Sequence, residues 1–178
     1  MRGGDGLSLG KLDHANLRSL VVETGGLPAS VVRQVAAAKL PALEHLELWL
    51  GTDEYGGDAT VDDLRPILSG RLFPRLRYLG LRDCQKADEV AAAVALAPVL
   101  QQVKVLDLSL GTLGDKGAEA LLASPAVARL EKLDIHYHFV SKELTDRLSA
   151  LGVELDASDH QKPDKWDDEE HRYVAVSE

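Results

Sequence analysis

The residues best equipped for chemistry recur in a fixed setting. Glu47, Asp107 and Asp134 each follow a Leu and precede a Leu or Ile, and Glu23 stands close to the corresponding place upstream. Nearby lie His45, Trp49, Tyr78, Arg82 and His136. Carboxylates beside an imidazole are ligands for a divalent ion. Two carboxyls in unlike environments make a general acid and base, but a face open to water separates their pKa values little. Trp, Tyr and Arg are the side chains that most often anchor a partner. With aromatics at 4% of the chain, two of them on neighbouring elements beside an Arg favour binding over catalysis. Cys84 has no His placed to activate it. Gly3-Gly4-Asp5-Gly6 and Gly114-Asp115-Lys116-Gly117 lack the spacing of a phosphate loop. No catalytic residue, metal ligand or cofactor is assigned.

These residues are positioned by a repeat. The pattern LxxLxL, with Val in some places, starts at residues 17, 43, 76, 103 and 130, in steps of 26, 33, 27 and 27. Between the copies the apolar residues change to helical spacing. Ser30–Ala38, Val61–Leu68, Asp88–Leu96, Asp115–Ala123 and Lys142–Leu151 read as helices, with Thr60 and Ser141 as N-caps. Each unit is therefore a short strand, a turn and a helix, and strands joined through helices run parallel. A unit of about 27 residues cannot bury its own apolar face and must lean on its neighbours.

Side chains alternate along a strand, so the repeat sorts its polar residues into columns on the sheet's open face. One column holds Ser19, His45, Tyr78, Val105 and Lys132. The next holds Val21, Glu47, Gly80, Asp107 and Asp134, and the last holds Glu23, Trp49, Arg82, Ser109 and His136. The expectation is an open, predominantly acidic trough with Trp49 exposed in it. The longest step contains an insertion, Gly51 to Asp58, that places Tyr55 on the rim beside this face. The expected partner-binding set is Glu23, His45, Glu47, Trp49, Tyr55, Tyr78, Arg82, Asp107, Asp134 and His136. Such a surface suits a protein partner with a basic or amphipathic face.

The pattern and its spacing resemble the leucine-rich repeat superfamily, in the long-repeat form of ribonuclease-inhibitor-like proteins. The resemblance covers roughly residues 7–155. It implies an α/β solenoid with a parallel β-sheet on the concave face and helices on the convex face. The family's inward Asn or Cys after each strand corresponds here to Gly25, Gly51, Cys84, Gly111 and His138. The glycines predict tighter turns. The segments GDATVDDLRPILSG, LRYLGLRDC, LDLSLGTLGDKGAEALLASP and HRYVAVSE look like a bacterial cytoplasmic leucine-rich repeat family of unknown function, found near radical-SAM-type enzymes. That resemblance implies an accessory or interaction role. It also implies a shortened member whose first residues enter midway along the family's array.

Composition agrees. The chain has 178 residues, with 20 Lys and Arg against 29 Asp and Glu, a formal charge of −9. Nucleic acid and anionic membrane both call for a basic face. One Cys cannot form an internal disulfide. There is no apolar run long enough to span a bilayer, and the first six residues lead into no signal-like segment. A cytoplasmic setting is expected. Residues 1–155 read as a solenoid of about six units. Residues 156–178 read as an acidic C-terminal cap, with Trp166, Val174 and Val176 over the last core end, or else as an acidic arm for a partner. The start shows no comparable cap, and an exposed strand edge there invites pairing with a second copy. Three functions follow: a non-enzymatic scaffold binding through its face and rim, an assembly module acting through its N-terminal edge, and a small hydrolase or metal-dependent enzyme. The first is preferred.

Overall fold

A computed structural model describes residues 7–167 and 169–176. The opening residues 1–6, which carry the signal and Gly3–Gly6 readings, lie outside them, as do Asp168, Ser177 and Glu178 of the acidic segment. The elements alternate as expected. They are β1 (Ser19–Val22), α1 (Ala29–Ala36), β2 (His45–Gly51), α2 (Val61–Leu68), β3 (Tyr78–Cys84) and α3 (Ala87–Ala95). Then come β4 (Val105–Asp107), α4 (Asp115–Leu122), β5 (Lys132–Asp134), α5 (Lys142–Ser149) and β6 (Glu154–Asp156). A separate hairpin, β7 (Asp164–Trp166) with β8 (Glu169–His171), follows. No described helix is long and apolar enough to cross a membrane.

The strands form one six-stranded parallel sheet in the order β1-β2-β3-β4-β5-β6. Its register is that of the sequence pattern. Leu20, Leu46, Leu79, Leu106, Leu133 and Leu155 are successive partners across it. Leu46, Leu79, Leu106 and Leu133 are fully buried, and one continuous core joins them to the apolar stripes of all five α-helices. The smallness of each unit is thus resolved by sharing.

Polar side chains also tie unit to unit. Asp88, in the first turn of α3, accepts the Gly114 and Gly117 N–H groups at 2.7 and 3.0 Å, so it caps the start of α4. Asp115 in α4 accepts the Ser141 N–H at 2.6 Å ahead of α5. Asp58 accepts the Ala29 N–H at the start of α1 at 2.6 Å. Thr60 and Asp63 form a capping box on α2, as the sequence predicts. Ser141 does not cap through its hydroxyl. The carboxylate of the neighbouring unit takes that role, a contact no local reading of the sequence contains.

The turns after the strands are close-packed. A Cβ on Gly51 would lie 1.9 Å from the Gly25 carbonyl oxygen, and one on Gly111 would lie 2.8 Å from that of Cys84. Asp83, Leu110 and Tyr137 occupy the same place in successive units, and all three have left-handed φ angles, of 52°, 67° and 58°. Three non-glycine residues held in that region mark a turn dictated by the packing of neighbours rather than by local preference.

The ends match expectation only in part. The β1 edge is unpaired among the described residues, as expected, but residues 7–14 are anchored on the flank of α1. The Gln34 side chain accepts the Leu9 and Gly10 N–H groups at 2.7 and 2.9 Å, and Lys39 pairs with Leu12 and His14. The C-terminal segment does not plug the last core end. It runs back along the rim to earlier units. Arg172 reaches Asp88 at 3.2 Å, Ala175 donates to the Leu110 carbonyl at 2.8 Å, and Val176 donates to Asp83 at 3.0 Å. Val174 is buried there, whereas Trp166 is 55% and Val176 36% exposed, so neither seals the core. The segment is a strap across strand ends, because its hydrogen-bond partners lie on the rim.

The strap makes stability depend on pH. Asp83 is fully buried, one of its carboxyl oxygens has no hydrogen-bond partner, and burial pushes its carboxyl up to about 7, only partly offset by the Val176 N–H and Arg82. The folded state therefore holds this proton more tightly than the unfolded chain, where the ordinary value is 3.8. The contribution of this one group to stability falls as pH climbs from about 4 to about 7 and then levels off, by up to about 4 kcal/mol. Urea unfolding should show a more downward slope with pH over that range in the wild type than in Asp83→Asn, where the lowered His138 makes stability rise toward neutral pH. Equal slopes in both proteins would contradict the assignment.

Candidate functional site

The columns sit on the sheet face that the sequence assigns them, but the trough is not open. Glu47, Trp49, Asp107 and Asp134 are all buried, at 8%, 9%, 4% and 9% exposure. This corrects the exposed Trp49 and the acidic trough. The cause is geometric. Strands in a sheet lie about 4.8 Å apart, within reach of Glu, Arg, Tyr and Trp side chains, so opposite charges in adjacent columns fold onto one another.

The network centres on Gly80. A Cβ there would stand 3.1 Å from both Glu47 and Tyr78, so the missing side chain leaves room for these two to lie over the strand. Trp49 donates its indole N–H to Glu47 at 2.6 Å. Arg82 donates to the same oxygen, Glu47 Oε1, at 2.9 Å, and also lies 3.3 Å from Asp107 Oδ2. Its guanidinium stacks over the Trp49 ring, 4.9 Å from the centroid. The Tyr78 hydroxyl donates to Asp107, and the Ser109 N–H reaches the same carboxylate at 2.9 Å. His45 stacks on Tyr78 with ring centroids 3.9 Å apart.

The electrostatics follow from these contacts. Burial alone would raise the Glu47 carboxyl, but the Trp49 N–H, Arg82 and His45 together outweigh it and hold it below its ordinary range. Burial and then the Asp107 carboxylate push the Tyr78 hydroxyl far above its ordinary value, so it stays protonated as a donor. Burial works against the Arg82 charge, yet Asp107 and Glu47 overcome it. Two acids share one guanidinium, and the aromatic rings are fixed around it.

A second cluster lies toward β6. Asp134 accepts the His136 N–H at 3.1 Å, contacts its Nδ1 at 2.8 Å and pairs with Lys132 at 3.0 Å. Asp134, His136 and Asp156 present ligand atoms within 4.8 Å of one another. The carboxylates are already engaged, however. Lys132 holds one, and the Ser158 hydroxyl and N–H hold Asp156 and lower its carboxyl. Asp107 belongs to the Arg82 network instead. His138 does not join either cluster, because it faces inward. Its Nδ1 accepts the Val140 N–H, its Nε2 lies 3.0 Å from the Ala157 carbonyl, and burial lowers its pKa. Burial likewise pushes the Cys84 thiol up to about 12, which keeps it an unreactive core residue.

What stays accessible is a different subset. Glu23 is exposed, and His45, Tyr78, Arg82, Lys132 and His136 are partly so. Tyr55 is 42% exposed on a short 3-10 turn, Asp53–Tyr55. Its loop is docked rather than free, with Thr52 donating to the Gly25 carbonyl and Asp53 to the Gln85 side chain. Gly80, Ser109 and Asp83 were not singled out by sequence. Only Gly80, the one residue without a side chain among the acids of its column, carried a signal.

No protein-family model and no curated protein matches the chain. Among solved structures it is similar to a Bacteroides fragilis protein, crystallised as a structural-genomics target, with 36% sequence identity and a TM-score of 0.81. The match covers 86% of this chain and 44% of that one, so this chain spans less than half the length of its structural neighbour.

Proposed function

We propose that this α/β fold is a leucine-rich-repeat-type solenoid and serves, in the cytoplasm, as a non-enzymatic scaffold that binds a protein partner on its inner sheet face and the adjoining rim. The observation that supports this most is the pre-arrangement of the face. Trp49, Tyr78 and Arg82 are locked by charged hydrogen bonds, so no rotamer freedom remains to be lost on docking. They present a firm aromatic and cationic floor with His45, Lys132 and His136 at its accessible level. Because Arg82 and Lys132 already neutralise much of the acid, an amphipathic segment suits this floor better than a strongly basic one.

The test leaves the contacts among Glu47, Trp49, Arg82 and Asp107 in place. A triple variant, His45→Ala, Tyr55→Ala and His136→Ala, removes the more accessible side chains around them. Capture of partner from host extract should fall at least about tenfold, a loss of about 1.4 kcal/mol of binding free energy over the three side chains, while the melting temperature stays within a few degrees of wild type. Undiminished capture would overturn the reading.

A further inference from the structure

The two edges of the sheet are not alike. β6 is three residues long, and its Glu154 and Asp156 stand in the polar columns, so like charge guards that edge. β1 has no such protection. Among the described residues it pairs only with β2, in an unbroken register from Ser19 to Val22, without Pro, Lys or a bulge. Its central outward residue is Val21, 48% exposed, where the next strands carry Glu47, Gly80, Asp107 and Asp134. Leu7 is 41% exposed at the same end, and Leu9, Leu12, Leu17 and Leu20 are only partly covered.

We propose that β1 pairs with β1 of a second copy, antiparallel, to join two six-stranded sheets into one. The sequence selects the register. Paired residues must share a face, so the two strands meet on a residue facing itself. Centring on Val21 sets Val21 against its own copy on the inner face and Leu20 against Val22 on the core face. Ser19 then stands opposite Glu23, hydroxyl donor to carboxylate. Every opposed pair is complementary. A head-to-tail array is disfavoured, since continuing the sheet's own register past β6 would set Asp156 beside Val21 and leave the chain of contacts open-ended. The antiparallel pair closes as a two-fold dimer and covers the apolar residues at this end.

Sedimentation over about 1–300 μM tests it, the range in which an interface of modest area assembles. The wild type should shift to twice the monomer mass. Val21→Lys should remain monomeric with an unchanged circular dichroism spectrum, because the side chain is exposed. Val21→Cys should cross-link to itself on mild oxidation, since opposed Cα atoms in an antiparallel pair stand within disulfide reach. The single native Cys84 is buried, so wild type treated alike should not cross-link. A monomer at every concentration, higher polymers, or a dimer that survives Val21→Lys and fails to cross-link in the Val21→Cys variant would each overturn the proposal.

Discussion

Gly51→Ala is expected to cost about 3–5 kcal/mol, the sum of a left-handed alanine and two or three disrupted hydrogen bonds. Gly51 sits at φ 65°, and its Cβ would fall 1.9 Å from the Gly25 oxygen and 2.5 Å from the Gly26 nitrogen. Those are backbone atoms, which cannot rotate aside. The turn would have to open, breaking the Thr52 N–H bond to Gly25 at 2.9 Å and the Leu27 N–H bond to Leu50 at 3.0 Å. The control is Gly152→Ala. Gly152 also has a positive φ, 80°, but a Cβ there meets nothing within 4 Å. It should lose only about 1 kcal/mol from conformational strain. Thermal melts would then place Gly51→Ala about 10 °C below wild type, given the few degrees that each kcal/mol is worth in a domain of this size. Equal losses in the two variants would mean that the turns are not packed as described.

Arg82→Ala should be nearly as damaging for an electrostatic reason. Its guanidinium is the shared partner of Glu47 and Asp107, whose side chains are only 11% and 6% exposed. Removing it strands two carboxylates close together with little water, which costs about 3–5 kcal/mol when a pair is well buried. The arginine side chain is 18% exposed, so some water enters, and the lower end of that range applies. Adding Glu47→Gln and Asp107→Asn to Arg82→Met should recover most of the loss, because the uncompensated charge goes with its partners. A single Arg82→Ala within about 0.5 kcal/mol of wild type in urea unfolding would show the network to be incidental.

Much of the architecture is legible in the residues. The LxxLxL copies give the strand register, since a one-residue slip would expose Leu46, Leu79, Leu106 and Leu133 together. The helical segments follow from spacing and from acids such as Asp62 and Asp115 in their first turns. The condition of the face was not legible. Alternation tells which side of the sheet Glu47 and Trp49 occupy, but their burial depends on Arg82, Tyr78 and Asp107 reaching across from other strands. Column by column these look like exposed polar residues, and only as a set do they cover one another. The strap escaped for a similar reason. The alternation of Tyr173 to Val176 marks an ordered segment, yet its destination is set by Asp83 and Asp88, far away in sequence.

The inner-face charges are committed to one another and so form a fixed floor. A double-mutant cycle on Glu47→Gln and Arg82→Met, followed by urea unfolding, measures that commitment. A coupling of about 2 kcal/mol is the predicted result for a close, largely buried pair. A coupling indistinguishable from zero would contradict it, because Glu47 and Arg82 would then be neighbours without a bond.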